Sequence, residues 1–146
     1  MGTQSMSYFG DDELVPVPSP EDAPFWDNCA KKRLAFQSCG NCGAVTHPPL
    51  GVCPKCQSLT RDWVDAPQGA QVFTYTWVNT AARPGITRPL PYNVAVIEFD
   101  GLPGVRMVSN VVDAEHGKLA VGDKVHLVWE LAGPEMFMPR FRRSIP

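Results

Sequence analysis

The sequence predicts a mainly β protein with a short N-terminal helix, a small metal-binding ribbon and a five-stranded barrel. Two pairs of cysteines, each with two residues between its members, indicate the ribbon. From Gly69 onward, apolar and polar residues alternate in five segments, which is the period of β-strands. We therefore expect a flexible arm at 1–18, the helix at 19–33, the ribbon at 34–66 and the barrel at 67–146.

The arm mixes acidic residues with prolines and shows no sustained period. Residues 19–22, Ser-Pro-Glu-Asp, predict a helix start, with a capping serine, proline at the first helical position and carboxylates in the first turn. Phe25, Trp26, Cys29 and Ala30 then recur at helical spacing. They give the helix an apolar face, which packs either on the chain's own ribbon or on a partner subunit.

The four cysteines of the ribbon are the predicted metal ligands. They are Cys39 and Cys42 in one pair and Cys53 and Cys56 in the other, with ten residues between the pairs. Two such knuckles supply the tetrahedral thiolate shell of a structural Zn²⁺ site. Paired disulfides, or iron held by the same ligands, are the alternatives. Because the ribbon has few apolar residues, we expect Zn²⁺ binding to supply part of its folding free energy.

The barrel follows from the five segments with a period of two. The predicted strands span 72–78, 94–99, 105–112, 124–131 and 136–141. One helical turn is expected at 113–119, and on the fourth strand Lys124, His126 and Glu130 are expected to face solvent. Five short strands with a helical connection after the third are typical of the small Greek-key barrel called the OB-fold. An open sandwich is the alternative.

Composition and charge exclude several function classes. The 146 residues have a net charge of −2 and a pI near 5.9, which argues against a nonspecific nucleic-acid binder. No apolar run is long enough to span a membrane and no signal peptide is visible, so we expect a cytoplasmic protein without a membrane partner. The chain also has no phosphate loop and no dinucleotide fingerprint.

No catalytic residue is predicted. Cys29 lies on the apolar face of the helix, which favours a buried structural thiol over a nucleophile. His47 falls between the cysteine pairs, and because four cysteines complete the metal shell we expect it at the surface or beside that shell. His116 lies in a polar connection and His126 on a strand, and neither has a visible carboxylate or nucleophile partner.

The order of the motifs resembles a known family. Pro24–Trp26 precede the cysteine pairs, the second barrel strand begins with Pro91–Ala95, and Pro139–Arg142 lie near the end of the chain. Over residues 20–146 this arrangement is similar to the zinc-ribbon and OB-fold family that was long catalogued as a domain of unknown function and is associated with acyl-CoA metabolism. Gln57 departs from the pattern, because the family often has glycine after the second knuckle.

The resemblance implies a non-catalytic accessory subunit of a thiolase-like acyl-CoA enzyme, such as a thiolase, an acyltransferase or a steroid side-chain aldolase. The partner would hold the catalytic residues, the Zn²⁺ of the rubredoxin-like ribbon would be structural, and the acyl-CoA would lie at the shared interface. A hot-dog enoyl-CoA hydratase is the alternative partner.

Candidate contacts with CoA or the partner lie in one loop, on the helix and near the end of the chain. Arg83 and Arg88 lie in the loop at 79–91, where guanidinium groups suit the phosphates of CoA, although a solvated, proline-stiffened loop is the simpler interpretation. The other candidates are Phe25, Trp26, Tyr92, Arg140 and Arg142. Two further classes stay open: a single-stranded nucleic-acid binder that stacks bases on the strand at 72–78, and a rubredoxin-like electron carrier. We do not expect nucleic acid to be the partner.

Overall fold

The computed structural model describes residues 15–81 and 90–144. Within these ranges, one helix precedes two β-sheets. The elements are α1 (Ala23–Ala30), β1 (Ala35–Cys39), β2 (Val45–Thr46), β3 (Arg61–Asp65), β4 (Ala70–Val78), β5 (Tyr92–Phe99), β6 (Leu102–Ser109), β7 (Lys124–Ala132) and β8 (Met136–Arg143). The ribbon sheet has the order β2-β1-β3 and the barrel sheet has the order β6-β5-β4-β7-β8. The predicted mainly β class is confirmed.

Helix α1 is shorter than the predicted 19–33. Asp22 rather than Ser19 occupies its N-terminal cap. The Ser19 hydroxyl donates to Asp22 Oδ1 at 2.9 Å and the Ala23 amide donates to the Ser19 carbonyl at 2.8 Å, so these residues form a turn before the helix. Pro24 explains the later start, because proline has no amide hydrogen and fits only the first helical turn. The helix ends at Ala30.

The barrel sheet is antiparallel and curls on itself. β4 and β5 pair from Ala70↔Phe99 to Val78↔Tyr92, with a bulge after Val72. β4 then pairs with β7 over only two residues, whereas β7 and β8 pair throughout. The chain after β6 reaches β8, where the Val112 amide donates to the carbonyl of Phe141 at 2.8 Å. This contact brings the two ends of the sheet together, as expected for an OB-fold.

Two predictions about the barrel were wrong. Residues 113–119 form turns and contain no helix. Glu130 is 6% exposed instead of facing solvent, although Lys124 and His126 are exposed as predicted. The alternation of exposed and buried residues breaks off in the middle of β7, where three consecutive residues before Glu130 are half-buried. The Glu130 carboxylate lies 3.6 Å from a nitrogen of the buried Arg140 guanidinium. A buried cation makes a buried carboxylate tolerable.

Helix, ribbon and barrel share one hydrophobic core. Its aromatic part runs from Phe36 on β1 to Phe99 on β5, with ring centroids 4.9 Å apart, and from Phe99 to Phe141 on β8 at 6.1 Å. Phe25 and Cys29 of α1 are buried in the same cluster. The apolar face of the helix therefore packs on the chain itself, as one of the two sequence interpretations expected.

The arm and the loop that carries two candidate arginines lie partly outside the described residues. Residues 15–18 contain no helix or strand, and residues 1–14 are not described. Arg83 and Arg88 lie outside the described residues as well. No helix of the described ranges is long and apolar enough to cross a bilayer.

Candidate functional site

The two cysteine knuckles have matching backbone geometry. The Cys39 amide donates to the Ala44 carbonyl at 2.8 Å, and the Gly43 amide donates back to the Cys39 carbonyl at 2.9 Å. In the second knuckle the Cys53 amide donates to the carbonyl five residues later at 3.0 Å, and Gln57 donates back to Cys53 at 2.9 Å. Gly43 (φ +75°) and Gln57 (φ +62°) occupy equivalent left-handed positions. The position of Gln57 therefore has the conformation that favours glycine.

The four sulfurs are positioned to bind one metal ion. The Sγ atoms of Cys39, Cys42, Cys53 and Cys56 all lie within 4.8 Å of one another. The Cys39–Cys56 and Cys42–Cys53 sulfurs are 3.5 and 3.6 Å apart. A tetrahedral zinc with Zn–S bonds of about 2.3 Å needs sulfurs about 3.8 Å apart, whereas a disulfide needs about 2.05 Å. The donor set fits a structural Zn²⁺ and not paired disulfides.

Backbone amides prepare the sulfurs for a cation. The amides of Cys42 and Asn41 donate to Cys39 Sγ at 3.4 and 3.3 Å and lower the pKa of Cys39 to about 6. The amides two and three residues after Cys53 lower the pKa of that thiol too. For Cys42, the Ala44 amide lowers the pKa, but desolvation and the neighbouring thiols outweigh it and raise the pKa to about 11. When bound, Zn²⁺ supplies the positive charge that lets all four act as thiolates.

His47 is half-buried between the helix and the ribbon. Its ring lies 5.2 Å from the centroids of both Phe25 and Phe36, and burial lowers its pKa to about 4. No hydrogen-bond partner of its buried Nδ1 exists among the described residues. The prediction placed His47 at the surface or beside the metal shell; the structure shows a half-buried, neutral residue whose ring contacts join the ribbon to the helix.

His47 also lines a groove of about 200 Å³ between α1, the loop after β2 and strands β6 and β8. Trp26 and Val108 contribute to its apolar wall, and Val108 is 67% exposed. Met138, Pro48 and Pro49 also line it. Side chains of the helix, the ribbon and the barrel thus meet at this groove.

The candidate contact residues occupy different environments. Phe25 (5% exposed) and Arg140 (6% exposed) line the floor of this groove, and Trp26 is half-buried beside them. Tyr92 is half-buried at the start of β5, immediately after the 79–91 loop, and Arg142 is exposed on β8. Of the five candidates that lie in the described residues, Phe25, Trp26 and Arg140 meet at this groove, whereas Tyr92 and Arg142 do not line it.

A buried polar cluster was missed by the sequence analysis. Arg140 donates through Nη1 to Asn110 Oδ1 at 2.7 Å, and Asn110 donates to the carbonyl of Asn93. Asn93 in turn exchanges two hydrogen bonds of 2.8 Å with the backbone of Val111. The sequence signal for this cluster was Asn93, a short polar residue at the start of the mostly apolar strand β5. This cluster fastens the end of β6 to β5 and β8.

A second cavity of about 420 Å³ lies at the junction of ribbon and barrel. Leu34, Phe99, Leu127 and Phe141 contribute apolar lining, and Arg33, Asp65, Gln68 and His126 contribute polar lining. Its volume is in the range of small-molecule sites, which are mostly apolar with a few polar groups.

Cys29, His116 and His126, which lie outside the metal site, take part in packing or in contacts at the surface. Burial raises the pKa of the fully buried Cys29 to about 12, so its thiol stays protonated, as expected for a structural residue. His116 contacts the Trp77 ring edge-on at 5.0 Å, and His126 lies 3.1 Å from the Ser144 hydroxyl. The geometry supports a metal-stabilised scaffold with binding surfaces.

Two family models match the chain. Residues 26–60 match the ChsH2 rubredoxin-like zinc ribbon domain, and residues 63–130 match the ChsH2 C-terminal OB-fold domain. Together they cover well over half of the chain. The metal site and the barrel thus agree with the fold that was predicted from the sequence, whereas the domain boundaries at 34–66 and 67–146 stay predictions.

Curated relatives carry related descriptions. A "probable enoyl-CoA hydratase alpha subunit" of Thermomonospora curvata is 36% identical over 126 residues, which are 86% of this chain but 38% of that protein. A "DUF35 domain-containing scaffold protein" of Methanocaldococcus jannaschii is 30% identical over 92 residues, 62% of this chain and 63% of that protein. The chain therefore spans less than two thirds of the length of these relatives.

Solved structures include a close match in fold. The structure described as the Ltp2-ChsH2(DUF35) aldolase superimposes with a TM-score of 0.81 and 32% identity, over 90% of this chain and 100% of that chain. A DUF35 protein of unknown function from Sulfolobus solfataricus superimposes with a TM-score of 0.58 at 19% identity, over 86% of this chain and 87% of that one. The second similarity supports the fold alone.

Proposed function

We propose that this chain, which belongs to the ChsH2 (DUF35) family, is a non-catalytic accessory subunit of a thiolase-like acyl-CoA enzyme. The observation that carries the proposal is the similarity to the chain in the Ltp2-ChsH2(DUF35) aldolase, which this protein covers completely. In this proposal the chain supplies a metal-stabilised scaffold, and the partner would supply the nucleophile and the bases.

The groove beside α1 is the proposed docking surface for the enzyme. Trp26 and Val108 combine apolar area with exposure there, and aromatic residues and methionine are enriched at the centres of interfaces. Phe25 and Arg140 would hold the groove in shape from below. The metal site lies in the same ribbon as Pro48 and Pro49, so Zn²⁺ binding would keep this wall of the groove in place.

CoA would bind where this subunit and the enzyme meet. We assign the phosphate contacts to Arg83 and Arg88, since guanidinium groups bind phosphates with two hydrogen bonds each. Tyr92 follows that loop directly, and Arg142 is exposed near the junction cavity, whose lining includes Phe141 and His126. In this arrangement the subunit shapes the passage for the acyl chain and moves no proton itself.

A hydratase is the second candidate partner. It is favoured by the 36% identity to a protein described as an enoyl-CoA hydratase alpha subunit. In that protein the matching region is 38% of the length, so the remainder has room for a separate domain. Assays of hydration and of carbon–carbon bond cleavage on the same complex distinguish the two candidates.

Paired variants test the docking surface. Val108→Asp places a charge in the groove, and we expect it to abolish co-purification of the enzyme encoded by the neighbouring gene. Leu131→Asp is the matched control, because Leu131 is also an apolar residue on a barrel strand, 51% exposed, and does not line the groove. Loss of the complex in both variants, or in neither, would count against the groove.

A further inference from the structure

Strand β3 forms one edge of the ribbon sheet. It pairs with β1 from Ala35↔Asp65 to Cys39↔Arg61, and no other strand of the described residues pairs with it. An edge strand exposes a row of amides and carbonyls that can pair with another chain. What such an edge accepts depends on which groups point outward and which side chains accompany them.

The flanking hydrogen bonds fix the direction of the backbone groups. The Gly40 amide donates to the Thr60 carbonyl at 3.0 Å, and the Ala66 amide donates to the Leu34 carbonyl at 2.9 Å. Because alternate residues of an antiparallel strand point to opposite neighbours, the even-numbered residues of β3 point toward β1. The odd-numbered residues point away from the sheet.

Three residues therefore present the free edge, namely Arg61, Trp63 and Asp65. Their amides and carbonyls have no hydrogen-bond partner among the residues that the structure describes. Trp63 stands midway between the other two, and Arg61 and Asp65 carry opposite charges at equal distances from it. The edge is therefore complementary in charge to a second copy of the same edge that runs antiparallel to it.

We propose that β3 pairs with β3 of a second copy of this chain, antiparallel and about a two-fold axis through Trp63. In this register Arg61 of each copy lies opposite Asp65 of the other, and Trp63 lies opposite Trp63. All three positions are the outward-pointing ones, so each pair exchanges two backbone hydrogen bonds, about six in all. The symmetric contact is the same surface on both copies, as a two-fold dimer requires.

The charges select this register over its neighbours. A shift by one pair toward the N-terminus sets Asp62 opposite Asp62 of the other copy, and like charges directly opposite are destabilising. A shift the other way sets Asp65 against Trp63 and removes both opposite-charge pairs. The Asp65 side chain is 72% exposed although it pairs with Arg33, so a second guanidinium can reach it.

The contact area is small, so the dimer is concentration-dependent. A five-residue edge buries much less surface than the ~1,200 Å² of a stable interface. The proposal does not depend on an enzyme partner, because it concerns the chain by itself. A scaffold that pairs with itself would hold two copies of whatever each subunit binds.

The test uses the full zinc-loaded chain in sedimentation experiments from about 10 µM to about 1 mM, a range suited to weak interfaces. We expect the average mass to rise toward that of a dimer. Arg61→Asp should weaken association about tenfold, because two attractive pairs become repulsive. The double variant Arg61→Asp/Asp65→Arg should restore it. Lys118→Asp, which makes the same charge change on the barrel, should have no effect.

Amide hydrogen exchange locates the contact. With increasing concentration, the amides of Arg61, Trp63 and Asp65 should gain protection, while those of Asp62 and Val64, already bonded to β1, should not change. A monomer at every concentration would overturn the proposal. So would a dimer that leaves the three outward amides unprotected, or a loss of association in the Lys118 variant equal to that in the Arg61 variant.

Discussion

Asn93 makes the sharpest prediction about how the barrel closes. Its side chain is fully buried, and it donates to the Val111 carbonyl and accepts from the Val111 amide, both at 2.8 Å. Val111 lies two residues beyond the end of β6 and forms a bridge to Phe141 on β8. Asn93→Ala would leave both backbone groups of Val111 without these partners inside the core.

The expected cost follows from those two groups. A buried polar group that loses its partner costs about 1–3 kcal/mol, so the variant should lose about 4 kcal/mol of unfolding free energy. At roughly 3–5 °C per kcal/mol for a chain of this size, the melting temperature should fall by about 12–20 °C. Asn93→Asp keeps the acceptor for the Val111 amide, but it also places a carboxylate in a fully buried site facing the Val111 carbonyl, so its loss should be at least as large at neutral pH.

Urea unfolding followed by tryptophan fluorescence measures this loss, with Zn²⁺ in constant excess. Asn79→Ala is the control. The side-chain amide of Asn79 donates to the Trp77 carbonyl at 3.4 Å on the surface, and its removal should cost less than about 0.5 kcal/mol. If Asn93→Ala unfolds within 1 kcal/mol of the wild type at equal zinc content, the proposed clamp does not close the barrel.

Three further predictions concern the ribbon. Cys39→Ser should reduce bound zinc below one ion per chain and unfold the ribbon, since a hydroxyl is a poor replacement for a soft thiolate; metal analysis and circular dichroism check this. Gln57→Gly should raise the unfolding free energy by about 0.5–1 kcal/mol, because glycine removes the cost of φ +62°; an unchanged or lower value in urea would contradict it. His47 has a pKa of about 4 in the folded chain and an ordinary value near 6.5 when unfolded. Its contribution to the unfolding free energy is therefore complete above pH 6.5 and is lost as the pH falls to 4, because the unfolded chain binds the proton more tightly. His47→Gln should flatten stability over that window relative to the wild type.

The metal site could be predicted from spacing alone, because two knuckles of local sequence bring the ligands together. The strands from Gly69 were also predictable, since their alternation reflects one buried and one exposed face. Gln57 was noted as a departure, and the structure supplies the reason, a left-handed backbone position. In each of these cases the decisive interactions are local in the chain.

The failures came from contacts distant in sequence. Glu130 is polar and therefore predicted to face solvent, but Arg140 accompanies it into the interior. His47 is half-buried because the rings of Phe25 and Phe36 both lie 5.2 Å from it, and no local pattern reveals these contacts. Tertiary partners decide such positions, and a single sequence does not name them. The start of the helix is a local exception, because Pro24 competes with the start signals of residues 19–22.

Co-expression of this chain with the neighbouring enzyme gene, followed by size exclusion and an assay on an acyl-CoA, tests the accessory-subunit proposal most directly. We expect a stable complex that cleaves or forms a carbon–carbon bond, no turnover by this chain alone, and a partner that is insoluble or inactive without it. Turnover by the isolated chain, or a partner that is fully active and soluble in its absence, would contradict the account.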